Sequence, residues 1–400
     1  MTNDDIRYLY LLKSGFGESR SCSRMQRKLS RLLLVFLSFF SCFVLLSGCG
    51  APSQNSISDT GFYFDTVISV TLYDASREDA LAHCFELADI YEAYFSDSIA
   101  TSDVAQINAH PFEPVAVHEE TMELIEKGIA YGDISGGKFD ITVGKLSDVW
   151  DFSEDDDLGV KGDPLRKSGP LQGDNPESNP SDGKSKTGAD SFSLPTSEEV
   201  NALAVGIDYH TIEIDHDAGT VTLNSDACAI DLGGIAKGYI ADKMKEYLEN
   251  EGITSGLINL GGNVLTINNK PDGKPYAIGI QKPFAADGAP ILKLWVSDLS
   301  VVTSGTYQRY AEIDGKLYHH ILDVSTGYPY DNGLSSVTVL CASSTDGDAL
   351  STTLFALGLE DGLAFAEALP DVEAVFITTE NEIYYSSGFS NGEIPYENMQ

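Results

Sequence analysis

The sequence predicts an α+β fold of mixed, largely antiparallel sheets flanked by helices and folded as one compact unit. Three observations lead there. β-Branched runs and helical runs alternate along the chain, and glycine-bearing hairpin turns separate many of them; this favours antiparallel pairing over a doubly wound parallel sheet. Four hundred residues, 42% of them hydrophobic, can bury a large core. The stretch 153–193 is rich in Asp, Ser, Gly, Pro and Lys and has almost no apolar content. It reads as a disordered surface insertion rather than a domain linker, because the motifs on its two sides belong to one site.

Taken in order, the chain opens on a targeting segment. Arg27, Lys28 and Arg31 precede an uncharged run at 32–46, LLLVFLSFFSCFVLL, and Leu46-Ser47-Gly48-Cys49 closes it. A basic region, a 15-residue apolar run and small residues before a cysteine form a bacterial lipoprotein signal, and the run is short for a spanning helix. The expectation is a leader at 1–48, lipidation of Cys49, a polar tether at 49–60, and a lipid-anchored protein on the extracytoplasmic face of the cell membrane. Met25 would begin a leader of ordinary length, so 1–24 reads as a mis-assigned upstream start.

The folded domain is expected at 61–395. Residues 62–73 alternate as a strand or hairpin arm, 76–95 have an amphipathic helical pattern, and 118–134 form a helix capped by His118-Glu119-Glu120-Thr121. A helix at 196–205 and a hairpin at 211–223 follow the insertion. Strand-like 227–230 leads into a helix from 235 to about 248. A strand at 256–260, the turn Gly261-Gly262-Asn263 and several more strands extend to about 340. Helices at 348–357, ended by Gly358, and at 360–368 precede a terminal hairpin.

The chain carries a formal net charge of −36, and the leader would remove mostly basic residues. Such acidity argues against nucleic acid and against an anionic membrane surface as partners of the folded body. Cys84, Cys228 and Cys341 are odd in number, widely spaced and set among apolar neighbours, so they indicate neither a disulfide framework nor a zinc site.

Four segments bear chemistry. DLGGIAKG at 231–238 puts two glycines at the start of a helix, where N–H groups and Lys237 suit an anion; the plain alternative is a tight turn with a solvated lysine. It lacks the spacing of a Walker A loop. In GDALST at 347–352, Asp348 and Thr352 stand one helical turn apart and offer hard oxygens suited to Mg²⁺; alternatively Asp348 complements a helix dipole and Thr352 packs. His319 and His320 are adjacent on an extended segment and face opposite ways, so one can enter a site. Thr303-Ser304-Gly305-Thr306-Tyr307 is a hydroxyl-rich turn that either meets phosphate oxygens or is only a loop.

In order, FDTVISVTLY, SDVAQIN, GGKFDITVGKLSDVWDF, DLGGIAKGYIADK, LINLGGN, TSGTYQRY, HHILDVSTG and GDALSTTLFALG resemble the motifs of the ApbE family, the FAD:protein FMN transferases of the bacterial envelope. The resemblance covers nearly all of the chain beyond the leader except the insertion. It implies an ApbE-like, T-fold-related unit that moves FMN from FAD to a threonine or serine hydroxyl of an extracytoplasmic redox protein, with release of AMP. It further implies Mg²⁺ held by the Gly234 carbonyl, Asp348 and Thr352, and FAD contacts from Phe64, Lys138, Phe139, Asp140, Asp231, Lys237 and Ile321. His320 is then the residue that activates the acceptor hydroxyl, with Asp348 the second catalytic residue. Ser98 stands where the family usually has an aromatic, which shifts flavin stacking to Tyr94 or Phe95; Val324 replaces a frequent proline. Two other activities share these residues: hydrolysis of FAD to FMN and AMP, and non-catalytic flavin carriage.

Overall fold

The computed structural model describes residues 56–152, 160–162, 193–285 and 288–400. The expected leader, Cys49, most of the tether, and residues 153–159 and 163–192 of the insertion lie outside them. The chain begins with strands β1 (Ile57–Tyr63) and β2 (Thr66–Leu72), helices α1 (Glu78–Phe95) and α2 (Asp103–Ala109), β3 (Val115–Ala116), α3 (Glu119–Ser135) and α4 (Gly144–Trp150). Then come β4 (Val160–Gly162), α5 (Ser197–Ala204), β5 (Ile212–Asp215), β6 (Thr220–Leu223) and α6 (Ala236–Asn250). The strand-rich part holds β7 (Gly256–Leu260), β8 (Asn263–Ile267), β9 (Tyr276–Gln281), β10 (Pro290–Val296), β11 (Ser300–Gly305) and β12 (Arg309–Ile313). It continues through β13 (Lys316–His319), β14 (Leu322–Asp323), β15 (Tyr328–Pro329) and β16 (Leu334–Cys341). Helix α7 (Ser344–Ala368), β17 (Glu373–Thr378), β18 (Ile383–Tyr385), α8 (Ser387–Asn391) and β19 (Tyr396–Asn398) follow.

The main sheet has eight strands in the order β1-β2-β7-β8-β11-β16-β17-β18, and every neighbouring pair is antiparallel. Alternation divides its side chains between two cores. Val337, Val339, Ala374 and Phe376 join the large core beneath α1, α6 and α7, whereas Leu340, Val375 and Ile377 join a smaller one with Ile280, Leu292 and Leu294 of β9 and β10. Strand β16 is therefore buried along its whole length. Each such buried aliphatic side chain is worth about 1.5–3 kcal/mol of transfer free energy.

Helices α6 and α7 touch where Gly238 passes Ser344: a Cβ on Gly238 would lie 2.2 Å from the Ser344 carbonyl oxygen. Asp242, one turn further along α6, fixes the contact. Its carboxylate accepts hydrogen bonds from the N–H groups of Ser344 and Thr345 (2.7 and 2.9 Å) and from the hydroxyls of Ser343 and Thr345 (3.0 and 2.6 Å). Two orphan donors of the first turn of α7 are thereby satisfied from another helix.

Five expectations change. The strand-like segment 227–230 has only an isolated bridge, Ala229 to Val143. Its backbone pairs instead with a side chain: Asn108 accepts from the Ile230 N–H (2.7 Å) and donates to the Ile230 carbonyl (2.8 Å), as a neighbouring strand would. The helix expected from 348 begins at Ser344, since Ser343 and Asp242 supply its cap, so Asp348 sits in the second turn rather than the first. It also runs through Gly358 as a kink (φ 80°, ψ −176°), with the Phe355 carbonyl taken by the Asn332 amide at 2.7 Å. His118 occupies the cap position of α3 without capping it, because its imidazole goes to Asp103 (2.9 Å) and stacks on Tyr94. Within the stretch expected to be disordered, Val160–Gly162 pairs with Arg309–Ala311 of β12.

Candidate active site

The sequence-named site residues converge on one cavity of about 610 Å³, within the size range of small-molecule sites. Phe64, Lys138, Phe139, Asp140, Asp231, Gly234, Lys237, His320, Ile321, Asp348 and Thr352 all line it, although up to 288 positions separate them in the chain.

One wall is DLGGIAKG. The Asp231 N–H donates to the Ile141 carbonyl (2.7 Å), and the Asp231 carboxylate accepts from the Gly233 N–H (2.7 Å), closing a tight turn. Phe139 lies over the turn: a Cβ on Gly234 would come within 3.2 Å of its ring. Lys237 bends back so that Nζ donates to the Gly233 carbonyl (2.7 Å) and lies 3.8 Å from Asp348 Oδ2. One donor of the first turn of α6 is already engaged, because the Gly238 N–H donates to Asp348 Oδ2 at 3.0 Å.

The floor belongs to α7 and the sheet. Asp348 is only 6% exposed, and burial raises its pKa; Lys237, the Gly238 N–H and the Asn263 amide oppose that rise. Thr352 Oγ1 is 3.2 Å from Ser304 Oγ, which also meets Ser351 Oγ at 2.8 Å. Ser304 lies within strand β11, so that part of the segment read as a turn is strand.

Strands β12 and β13 bring in the histidines. His319 is 3% exposed and fully engaged: Nε2–H donates to the Tyr330 carbonyl (2.9 Å) and Nδ1 accepts from the Ile321 N–H (3.3 Å). His320 lines the cavity. Its Nδ1 meets the Arg309 carbonyl at 3.3 Å, and since a carbonyl can only accept, Nδ1 carries the proton and Nε2 the lone pair. Burial, with Arg309, His319 and Lys237 adding positive charge, pushes its pKa down to about 3, so the ring is neutral at pH 7.

The opposite side is acidic. Asp97 and Asp148 are exposed at the rim of the cavity; partial desolvation there, with the nearby Asp231 and Asp148, raises Asp97 to about 6, and desolvation with Asp231 raises Asp148. Between β1 and β2, Phe64 and Asp65 both have positive φ (50° and 55°), and Glu92 accepts the Phe64 N–H at 2.7 Å. Phe95 reaches the cavity, whereas Tyr94 stacks on His118, which favours Phe95 of the two expected aromatics. Asp140 lines the cavity, but both of its oxygens are engaged, by Thr142 and by the Tyr209 N–H. Arg309, Asn263 and Asp97 also line the cavity and were not among the residues expected there from sequence, whereas Ser304 of the hydroxyl-rich segment reaches it as expected. Two of them, Arg309 and Asn263, lie inside recognised motifs, TSGTYQRY and LINLGGN, which was the available signal.

A family model described as the ApbE family matches residues 64–376, and that span contains every cavity residue named above. The chain belongs to the ApbE family. Among ApbE relatives, an FAD:protein FMN transferase of Klebsiella pneumoniae is 35% identical over 314 residues, covering 78% of this chain and 86% of its own. Another, from Vibrio cholerae, is 31% identical over 364 residues, covering 88% and 97%. Among solved structures, the ApbE protein of Thermotoga maritima superposes with a TM-score of 0.71 at 27% identity, covering 84% of this chain and 98% of its own. The Vibrio cholerae flavin transferase ApbE gives 0.66 at 26% identity, with the same coverage. The α+β expectation agrees with these ApbE folds.

Proposed function

We propose that the protein is an Mg²⁺-dependent FAD:protein FMN transferase that esterifies a threonine or serine hydroxyl of an extracytoplasmic redox protein and releases AMP. The observation that carries this reading is the meeting of Lys237, Asp348, Thr352 and a neutral, lone-pair-bearing His320 around one cavity, in a chain of this family.

The residues fit a divalent cation. Asp348 is a buried carboxylate with one N–H partner and one ammonium at 3.8 Å, so its charge is only partly balanced. The Thr352 hydroxyl and the Gly234 carbonyl are hard oxygens on the same cavity. These three groups would hold Mg²⁺, which supplies charge neutralisation at the FAD pyrophosphate. Lys237 adds positive charge where this acidic protein would otherwise repel a dianion. His320 Nε2 takes the proton of the acceptor hydroxyl as its oxygen bonds to the FMN phosphorus, and the bond from that phosphorus to the AMP oxygen breaks.

The test is to incubate protein, FAD, Mg²⁺ and an acceptor and to look for flavin fluorescence on the denatured acceptor band. AMP release without a fluorescent acceptor would assign the protein to FAD hydrolysis, and flavin binding without turnover would make it a carrier. The leader motif supports an anchor through lipidated Cys49 on the outer face of the membrane. Fatty-acid labelling that survives Cys49→Ala would refute that attachment.

A further inference from the structure

The motif LINLGGN ends on Asn263, a residue that the reading above leaves without a role. It is the first residue of β8, is 2% exposed, and lines the cavity beside Asp348. A directed chain sets its amide. The Ser300 hydroxyl donates to Ser344 Oγ at 2.9 Å, and the Ser344 hydroxyl donates to Asn263 Oδ1 at 2.6 Å. With Oδ1 committed as acceptor, Nδ2 is the end left to face elsewhere. Nδ2 is buried and finds no hydrogen-bond partner among the described residues. A buried amide donor left unpaired costs about 1–3 kcal/mol, so such groups are uncommon unless something in the working protein meets them.

Helix geometry says what that is. Ser344 and Asp348 are four residues apart on α7 and stack on one face. An amide whose oxygen is held by Ser344 turns its nitrogen toward the next turn, where Asp348 stands.

We propose that Asn263 is a positioning residue: anchored through Ser344 and Ser300, it aims its Nδ2–H at the Asp348 carboxylate and orients that carboxylate for a divalent cation. This rests on the reading of Asp348 as a cation ligand. Partners of this kind typically change metal affinity 10- to 100-fold. The anchor joins β8, β11 and α7, so the carboxylate is set by the sheet as well as by its own helix.

The test uses Mn²⁺ as a spectroscopic probe, titrated into wild type, Asn263→Leu and Ser344→Ala with and without ADP, with free Mn²⁺ read by electron paramagnetic resonance. Thermal melts and the KM for FAD at saturating Mg²⁺ are measured alongside. Asn263→Leu keeps the volume and removes the donor; it is expected to weaken Mn²⁺ binding by about 10- to 100-fold and to leave KM for FAD nearly unchanged. Ser344→Ala frees the amide without deleting it and is expected to have a smaller effect in the same direction. A lowered melting temperature with native Mn²⁺ affinity in Asn263→Leu would make Asn263 purely structural and overturn the proposal. Loss of ADP affinity in the absence of metal would overturn it differently, by making Asn263 a nucleotide contact. Failure of wild type to bind Mn²⁺ at all would remove the cation reading of Asp348 itself, an outcome distinct from a failure confined to Asn263.

Discussion

Gly238→Ala adds one methyl group at the point where α6 crosses α7. That carbon would sit 2.2 Å from the Ser344 carbonyl oxygen, 2.6 Å from its carbon and 2.7 Å from Thr345 Cα, all backbone atoms that cannot swing aside. Even a close C···O contact needs about 3.3 Å, so the helices must separate by about 1 Å. Overpacking of this kind costs about 1–3 kcal/mol. The same shift strains the 3.0 Å bond from the Gly238 N–H to Asp348, a bond to a charged group worth about 1.5–3 kcal/mol. Better helix propensity returns about 1 kcal/mol. The net expectation is a loss of about 1.5–5 kcal/mol, seen as a melting temperature lower by several degrees. Activity is expected to fall further than stability. Asp348 moves relative to Lys237, and a displacement of about 1 Å at a positioned group costs on the order of 100-fold in rate. Single-turnover AMP release at a temperature where the variant is fully folded separates the two effects. A variant that melts with wild type and turns over within about twofold of it would refute the close-packing argument, because an error that small falls well below the 100-fold expected.

Four further expectations rest on the same geometry. His320→Gln is expected to cut FMN transfer by about 100- to 10,000-fold while FAD affinity, measured by flavin fluorescence quenching, stays near native. Because the folded pKa of His320 is depressed to about 3, its contribution to stability is present above the unfolded value near 6.5 and is lost as pH falls toward 3. Wild-type kcat/KM therefore runs through pH 6.5 without the acid limb of an ordinary histidine, and a clear inflection there would contradict the assignment. Asp242→Ala strands two helix-terminal N–H groups and two hydroxyls and is expected to cost about 3–5 kcal/mol; denaturant titration measures it, and a loss below about 1 kcal/mol would refute the cap. Asp97 has a raised folded pKa of about 6, so its stabilising effect is present at low pH and is lost as pH rises through 6. Asp97→Asn is expected to gain stability relative to wild type between pH 5 and 7.5 and to lower the KM for FAD by removing a negative charge from the cavity; equal stability differences at the two pH values would count against the shift.

Much of this was legible in the chain because local pattern carries it. Alternation marked 62–73, helical periodicity marked α1, and Gly358 marked a break in α7 that the structure keeps as a kink. The misreadings share one cause: partners distant in sequence. Residues 227–230 have the composition of a strand, but the neighbour that pairs with them is the side chain of Asn108. The start of α7 was read four residues late because Asp242, about a hundred positions away, completes the cap. Asp140 lines the cavity as its motif suggests, but that its oxygens also hold Thr142 and Tyr209 was not legible in the chain. Of two adjacent histidines, extended geometry said that one enters the site, and the resemblance pointed to His320; the hydrogen bonds that bury His319 agree with that choice.

By itself the sequence determined the α+β class, the family, and the short list of residues from which the site is built, since motif spacing and side-chain periodicity are local properties. Only the tertiary structure decided what those residues touch. Lys237 folds back on its own turn, the Gly238 N–H is spent on Asp348, and Asn263 is held with one buried donor unpaired among the described residues. The reason is physical: a hydrogen bond or a buried charge depends on angstrom distances between segments far apart in the chain, and close packing of α6, α7 and the sheet sets those distances.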